Sequence, residues 1–173
     1  MNRPKSHPLA AAIICALGFA TLAFTTGCPS ADKLLIDTPS EMVAVEHGPD
    51  NYVAMTHDGV VVRVKRLTQG DDRADDVPYA ETEFWMKAAR DRVRDTGGYE
   101  LLSEEEVVSA DQLSGYRLEF GRDQDGKTFH YVLALFSTDD ELHVIDAGGP
   151  EEQFDGVRDA IDSFITDYRL EEQ

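Results

Sequence analysis

The stretch from Thr128 to Ser137 constrains this chain more than any other. Its apolar residues fall on both parities, with Val132, Ala134 and Phe136 on one side and Phe129, Tyr131, Leu133 and Leu135 on the other. Successive side chains of a strand point to opposite faces, so such a strand is buried above and below. It needs a packing layer on each side. After a turn at Asp139-Asp140, Leu142 to Ala147 is likewise apolar on both faces. An open sheet with one wet face is therefore excluded.

The rest of the chain supplies those layers. Met42-Val43-Ala44-Val45 opens the core, Gly48-Pro49-Asp50-Asn51 signals a turn, and Tyr52 to Thr56 reads as a strand. Asp58-Gly59 fits a type I′ hairpin turn leading into a strand from Val60 to Leu67. An acidic loop at 70–76 follows. Trp85, Ala88, Ala89 and Val93, widened by Phe84 and Met86, recur at helical spacing and predict a helix from Ala80 to Thr96, closed by Gly97-Gly98. A short strand is expected at Tyr99, continued by Val107-Val108 beyond the Glu104 to Glu106 run. Tyr116, Leu118 and Phe120 alternate with Arg117 and Glu119 as a strand with one drier face, and Asp123 to Gly126 turns the chain into the central strand. Beyond Gly148-Gly149-Pro150, the stripe Phe154, Val157, Ile161, Phe164, Ile165 and Tyr168 predicts one helix ending near Tyr168.

The expected class is α+β, an antiparallel sheet with a helix packed on each face. This element order, with Phe84-Trp85, Gly98-Tyr99, Gly115-Tyr116 and Phe164-Ile165, resembles the PsbP-like α/β/α sandwich of small bacterial lipoproteins over residues 42–168. The resemblance implies a domain that binds a partner protein more readily than it catalyses. Fold analogy alone does not establish that function.

The first 27 residues read as a targeting segment. Arg3 and Lys5 form a positive start, and Leu9 to Phe24 is an uncharged run of 16 residues. That is short of the roughly 20 a spanning helix needs. Thr25-Thr26-Gly27-Cys28 closes it, in the order of a signal peptide. These residues resemble a lipobox, although Thr25 stands where that family usually has Leu. The resemblance implies cleavage by signal peptidase II between Gly27 and Cys28, with lipid on the Cys28 thiol. Two or three acyl chains hold a protein on a membrane durably, whereas one does so only marginally. An uncleaved anchor and ordinary signal-peptidase cleavage, which leaves Cys28 free, are the competing readings. Cys15 lies inside the leader, so the mature chain keeps one cysteine and no internal disulfide. Residues 28–41 read as a lipid-anchored tether whose Leu34 to Ile36 can touch the domain, and residues 42–173 as a single globular domain. Pro29 follows the cysteine in place of the Asp associated with inner-membrane retention, which implies the outer membrane over the inner.

Charge narrows the partners. The formal charge is −18, and loss of Arg3 and Lys5 brings the mature chain near −20. Such a surface repels phosphate backbones, so no nucleic-acid partner is expected. The histidines do not form a metal site by spacing: with a turn at Asp139-Asp140, His143 opposes Phe136, while His130 lies several residues along the same face. His47 and His57 sit beside turns. Asp123-x-Asp125-Gly126 matches the opening of an EF-hand loop, but Lys127 occupies a position needing an oxygen ligand and no Glu closes the loop, so a hairpin is expected. Asp71-Asp72 with Asp75-Asp76 reads as a solvated acidic loop, with loose calcium binding as the alternative. No serine sits in a Gly-x-Ser-x-Gly elbow and no Gly-rich phosphate loop is present, so no catalytic residue, cofactor or metal is assigned. Trp85 reads as a core anchor. The leading expectation is a non-enzymatic envelope lipoprotein displaying its domain to an envelope protein partner; the alternative is a hydrolase or metal-dependent periplasmic enzyme with an unrecognised site.

Overall fold

A computed structural model of the chain describes Leu34, residues 36–70 and residues 76–169. By contacts the chain divides into Met1–Ser30 and Ala31–Gln173, and every described residue lies in the second unit. Among the described residues there are seven strands, β1 (Val43–His47), β2 (Asn51–Met55), β3 (Val61–Thr68), β4 (Glu100–Val108), β5 (Ser114–Gln124), β6 (Lys127–Ser137) and β7 (Glu141–Pro150), with helices α1 (Thr82–Gly97), α2 (Glu151–Asp155) and α3 (Arg158–Thr166). The strands form one antiparallel sheet in the order β1-β2-β3-β7-β6-β5-β4.

The doubly apolar strand β6 sits between β5 and β7, and its two parities feed two cores. Val132, Ala134 and Phe136 join Tyr52, Val62 and Ile145 under Phe154 of α2 and Ile161, Phe164 and Ile165 of α3. Leu133 and Leu135 join Leu118, Phe120 and Leu142 under Met86 of α1. The architecture is the α+β sandwich expected from the sequence, an antiparallel sheet with helices packed on both faces.

Several elements differ in detail. The Glu104 to Glu106 run does not interrupt a strand; it belongs to a continuous nine-residue β4 at the sheet edge, where carboxylates stay in water. Met42 is buried, but every residue of β1 is exposed, because β1 is the other edge. On α1 the inward stripe is Met86, Ala89 and Val93 with Trp85 at its margin, whereas Phe84 and Ala88 face solvent. Its end is as expected: Gly98 takes φ +65° and its N–H bonds to the Arg94 carbonyl.

The single C-terminal helix is in fact two. It breaks at Gly156 and Val157, the latter at φ −125°, where glycine weakens the helix and Arg158 turns to ion pairs described below. The two Asp-Gly turns also differ from each other. Thr56 N–H bonds to the Val60 carbonyl across His57, Asp58 and Gly59, and only Gly59 has positive φ, so this is a three-residue loop and not type I′. Thr56 Oγ1 holds the loop by donating to Asp58 and accepting from the Val60 N–H. At Asp125-Gly126 both residues have positive φ between the paired Gln124 and Lys127, which is the type I′ geometry.

Candidate functional site

The polar side chains with chemical potential gather mainly on the face under α2 and α3. Glu119 on β5 is their centre. Its Oε1 accepts from His130 Nε2 at 2.5 Å and from Arg158 Nη1, and its Oε2 accepts from Ser103 Oγ at 3.2 Å and Arg117 Nη1 at 3.4 Å. Arg117 reaches onward to Glu105 on β4 and Asp162 on α3, each at 2.9 Å. Burial works against the Glu119 charge, but the bonds from Arg158 and His130 and the Arg117 charge prevail and hold its carboxyl at about 2. His130 stacks on Phe154 with ring centroids 4.8 Å apart, and the Arg158 guanidinium lies 5.2 Å from the same ring. The cluster ties β4, β5 and β6 to both short helices.

His143 opposes Phe136 and shares its face with His130, as the turn at Asp139-Asp140 implied. The six residues from His130 to Phe136 span about 20 Å at the usual strand rise, too far for the two rings to share a metal. Tyr168 donates to Nδ1 of His143 at 2.8 Å, and Nε2–H donates to Glu141 at 3.1 Å. Burial, aided by the Arg66 charge, lowers His143 to about 4, so its ring is neutral near pH 7. His47 is exposed and its Nε2 bonds to the carbonyl of Leu34, which is buried; this contact and the packing of Ile36 join the end of the expected tether to the core. Asp123 accepts from Thr128 Oγ1 at 2.7 Å across the hairpin. Among the described residues no three His, Cys, Asp or Glu side chains converge on a metal position. Gly27 and Cys28 lie outside the described residues, as do residues 71–75 of the acidic loop.

Gln69, which carried no signal in the sequence, proves to be a buried junction. Its Nε2 donates to the Thr138 carbonyl, and its Oε1 accepts from the Trp85 indole at 3.2 Å and the Ala80 N–H at 3.1 Å. It pins the approach to α1 against the β6–β7 turn. Trp85 is thus partly a hydrogen-bonded anchor, as its side-chain N–H requires.

The opposite face is only half covered. Helix α1 packs mainly on β4, β5 and β6; Leu67 near the end of β3 joins the core beneath it, whereas Val43, Met55 and Val61 do not. The cross-strand row Val43, Met55, Val61 runs across that bare half, with Val43 at 68% and Met55 at 39% exposure. Beside it run Glu46, Val53, Arg63 and Asp146, in which Arg63 pairs with Asp146 at 2.6 Å. The row ends in a cleft of about 480 Å³ lined by Val61, Arg63, Val93, Gly97, Tyr99, Arg122, Phe129, Tyr131, Gly148 and Gly149. A larger groove of about 1050 Å³ lies between Leu34, residues 36–41 and α3, with Asp37, Glu41 and Asp167 among its walls.

No protein-family model matches the chain, and no curated protein matches it. Solved structures do resemble its fold. The cyanobacterial PsbP of Synechocystis sp. PCC 6803 aligns at 17% identity and TM-score 0.52, over 78% of this chain and 84% of that one. LpqN of Mycobacterium tuberculosis, described as involved in cell envelope biogenesis, aligns at 12% identity and TM-score 0.56, over 76% of this chain and 78% of that one. A protein of unknown function from Pseudomonas aeruginosa aligns at 9% identity and TM-score 0.51, over 77% and 99%. At these identities the likeness establishes the PsbP-like fold. No described helix is long and apolar enough to cross a membrane.

Proposed function

We propose that this chain is an envelope lipoprotein, cut between Gly27 and Cys28 and anchored by lipid on Cys28, whose domain binds a protein partner without catalysing a reaction. The bare half of the sheet carries the proposal for the domain. On one side of the apolar row Val43, Met55, Val61 lie rows whose charges balance, with Arg63 and Lys65 against Glu46 and Asp146. The chain as a whole is at −18. A face that is apolar and near neutral, on a molecule that is strongly acidic elsewhere, has the composition of a surface to be desolvated by a protein. The far edge is the opposite: β4 carries Glu100, Glu104, Glu105 and Glu106 and a register shift after Leu101, devices that repel an added strand. The leader supports envelope placement, and LpqN shows the fold at work in cell envelope biogenesis.

Two experiments test the two halves of the proposal. A photo-crosslinking side chain at position 55 of the membrane-anchored protein is expected to give a discrete adduct that Val61→Asp abolishes and that position 127, on the type I′ turn, does not give. Equal labelling at 55 and 127, or none at 55, overturns the docking face. For the anchor, Cys28→Ser is expected to release the protein from the membrane. Retention, with processing indifferent to inhibition of signal peptidase II, refutes it.

A further inference from the structure

The cleft at the end of the bare row has a chemistry of its own. Arg122 lines it, with its guanidinium 4.6 Å from the centre of the Tyr99 ring. Tyr99 in turn meets Tyr131 with ring centroids 5.7 Å apart. Phe129, Val61 and Val93 complete the apolar part of the wall. Gly148 makes the floor possible, since a Cβ there would approach Tyr131 Cδ2 at 3.0 Å.

Arg122 is anomalous in this molecule. The other half-buried or buried arginines described, Arg66, Arg90, Arg117 and Arg158, each reach a carboxylate. Even the more exposed Arg63 has Asp146. Arg122 reaches none among the described residues, in a chain with 34 acidic residues against 16 basic ones. Its Nη1 donates to the Gly97 carbonyl at 2.7 Å, supporting the C-terminus of α1, and its Nη2 donates to Gln124 at 2.5 Å. A guanidinium has further N–H groups in a fork that matches a carboxylate. The Nε of Arg122, like that of Arg117, is buried with no acceptor, so the ligand-facing donors are the second N–H groups of Nη1 and Nη2. Tyr131 adds a second donor to the same cleft. Its hydroxyl has no hydrogen-bond partner among the described residues, and burial, with the Asp146 charge behind it, pushes the phenol well above its ordinary range, so it stays protonated.

We propose that this cleft binds a small monocarboxylate with an aromatic or branched apolar body, the carboxylate at Arg122 and Tyr131 and the body against Tyr99, Phe129 and Val61. Its size falls in the usual range for small-ligand pockets, and its make-up follows their pattern, a mostly apolar wall with a few convergent donors. The inference goes beyond partner docking and does not depend on it, because the ligand is small and its recognition lies at the cleft end of the row.

The test uses the soluble domain of the full mature chain carrying Cys28→Ser, and 3-phenylpropionate as the probe. Its neutral amide, 3-phenylpropanamide, and acetate serve as partial ligands. Amide chemical shifts are read during titration. The acid is expected to move the signals of Tyr99, Arg122, Tyr131 and Gly148, and to bind about tenfold more tightly than the amide, a difference of about 1.4 kcal/mol. Arg122→Gln is expected to erase the difference between acid and amide. Because Arg122 also supports α1, Tyr131→Phe provides a second variant that keeps the ring and is expected to weaken the acid about threefold while leaving the amide unchanged. Equal binding of acid and amide, shifts centred elsewhere, or no shifts at millimolar acid each overturn the proposal.

Discussion

The two faces of this sheet are built to different standards. Under α2 and α3, Tyr52, Val62, Phe136, Phe154 and Ile161 are fully buried, and the charged groups between helix and sheet are mutually paired around Glu119. Under α1, only Met86 of the helix is buried, and Val43, Met55 and Val61 of β1, β2 and β3 stay outside its core. The contrast teaches where stability and binding reside. A closed face with paired charges yields folding free energy, while apolar surface left in water yields none until something covers it.

The sharpest break of this contrast is Phe154→Ala. It empties a site that stacks on His130 and underlies Arg158, and a loss of about 3–5 kcal/mol is expected in chemical denaturation. A loss below 1 kcal/mol would mean that the sealed face is not the stabilising one.

Acid probes the same face. His143 sits at about 4 when folded, below its ordinary 6.5, so the unfolded chain takes up this proton first. Stability is expected to fall by about 3 kcal/mol between pH 6.5 and 4, with no further loss from this group below that. Glu119, folded at about 2 against an ordinary 4.5, contributes above pH 4.5 and is lost as pH falls toward 2. Its share is about 1–2 kcal/mol, because solvent screens part of the cluster. His143→Gln should flatten the first window and spare the second, which denaturation midpoints at pH 7, 5 and 3 will show.

Gln69→Leu tests how the half-covered face is held. It strands the Trp85 and Ala80 donors and the Thr138 carbonyl, and about 2 kcal/mol should be lost. Faster hydrogen exchange should be confined to α1 and the β6–β7 turn; exchange spreading to α3 would show that the faces are not independent. The smallest effect belongs to Met55→Asp, which should change stability by no more than about 0.5 kcal/mol yet abolish crosslinking from a photo-crosslinking side chain placed at the neighbouring position 43. A large destabilisation would reveal that Met55 is structural.

What could be read from the chain alone follows local rules. Alternation in Thr128 to Ser137 demanded two layers, Gly98 closed a helix, and the Asp139-Asp140 turn placed His143 opposite Phe136. The split at Gly156 and Val157 was missed because the apolar stripe runs through it unbroken, and the interruption coincides with an ion pair to Glu119, 39 residues away. The misassigned turn at Asp58-Gly59 was decided by Thr56, whose hydroxyl stabilises a three-residue loop. Gln69 was invisible for a similar reason, since its partners lie 11, 16 and 69 residues off.

By itself, then, the sequence determined the layered α+β class and the identity of the buried strands, because side-chain alternation and turn chemistry act over a few residues. Tertiary structure alone decided how much of the sheet α1 would leave bare, and which half-buried arginine would reach no carboxylate among the described residues. Those outcomes depend on where distant side chains meet, and a local pattern holds no record of that distance.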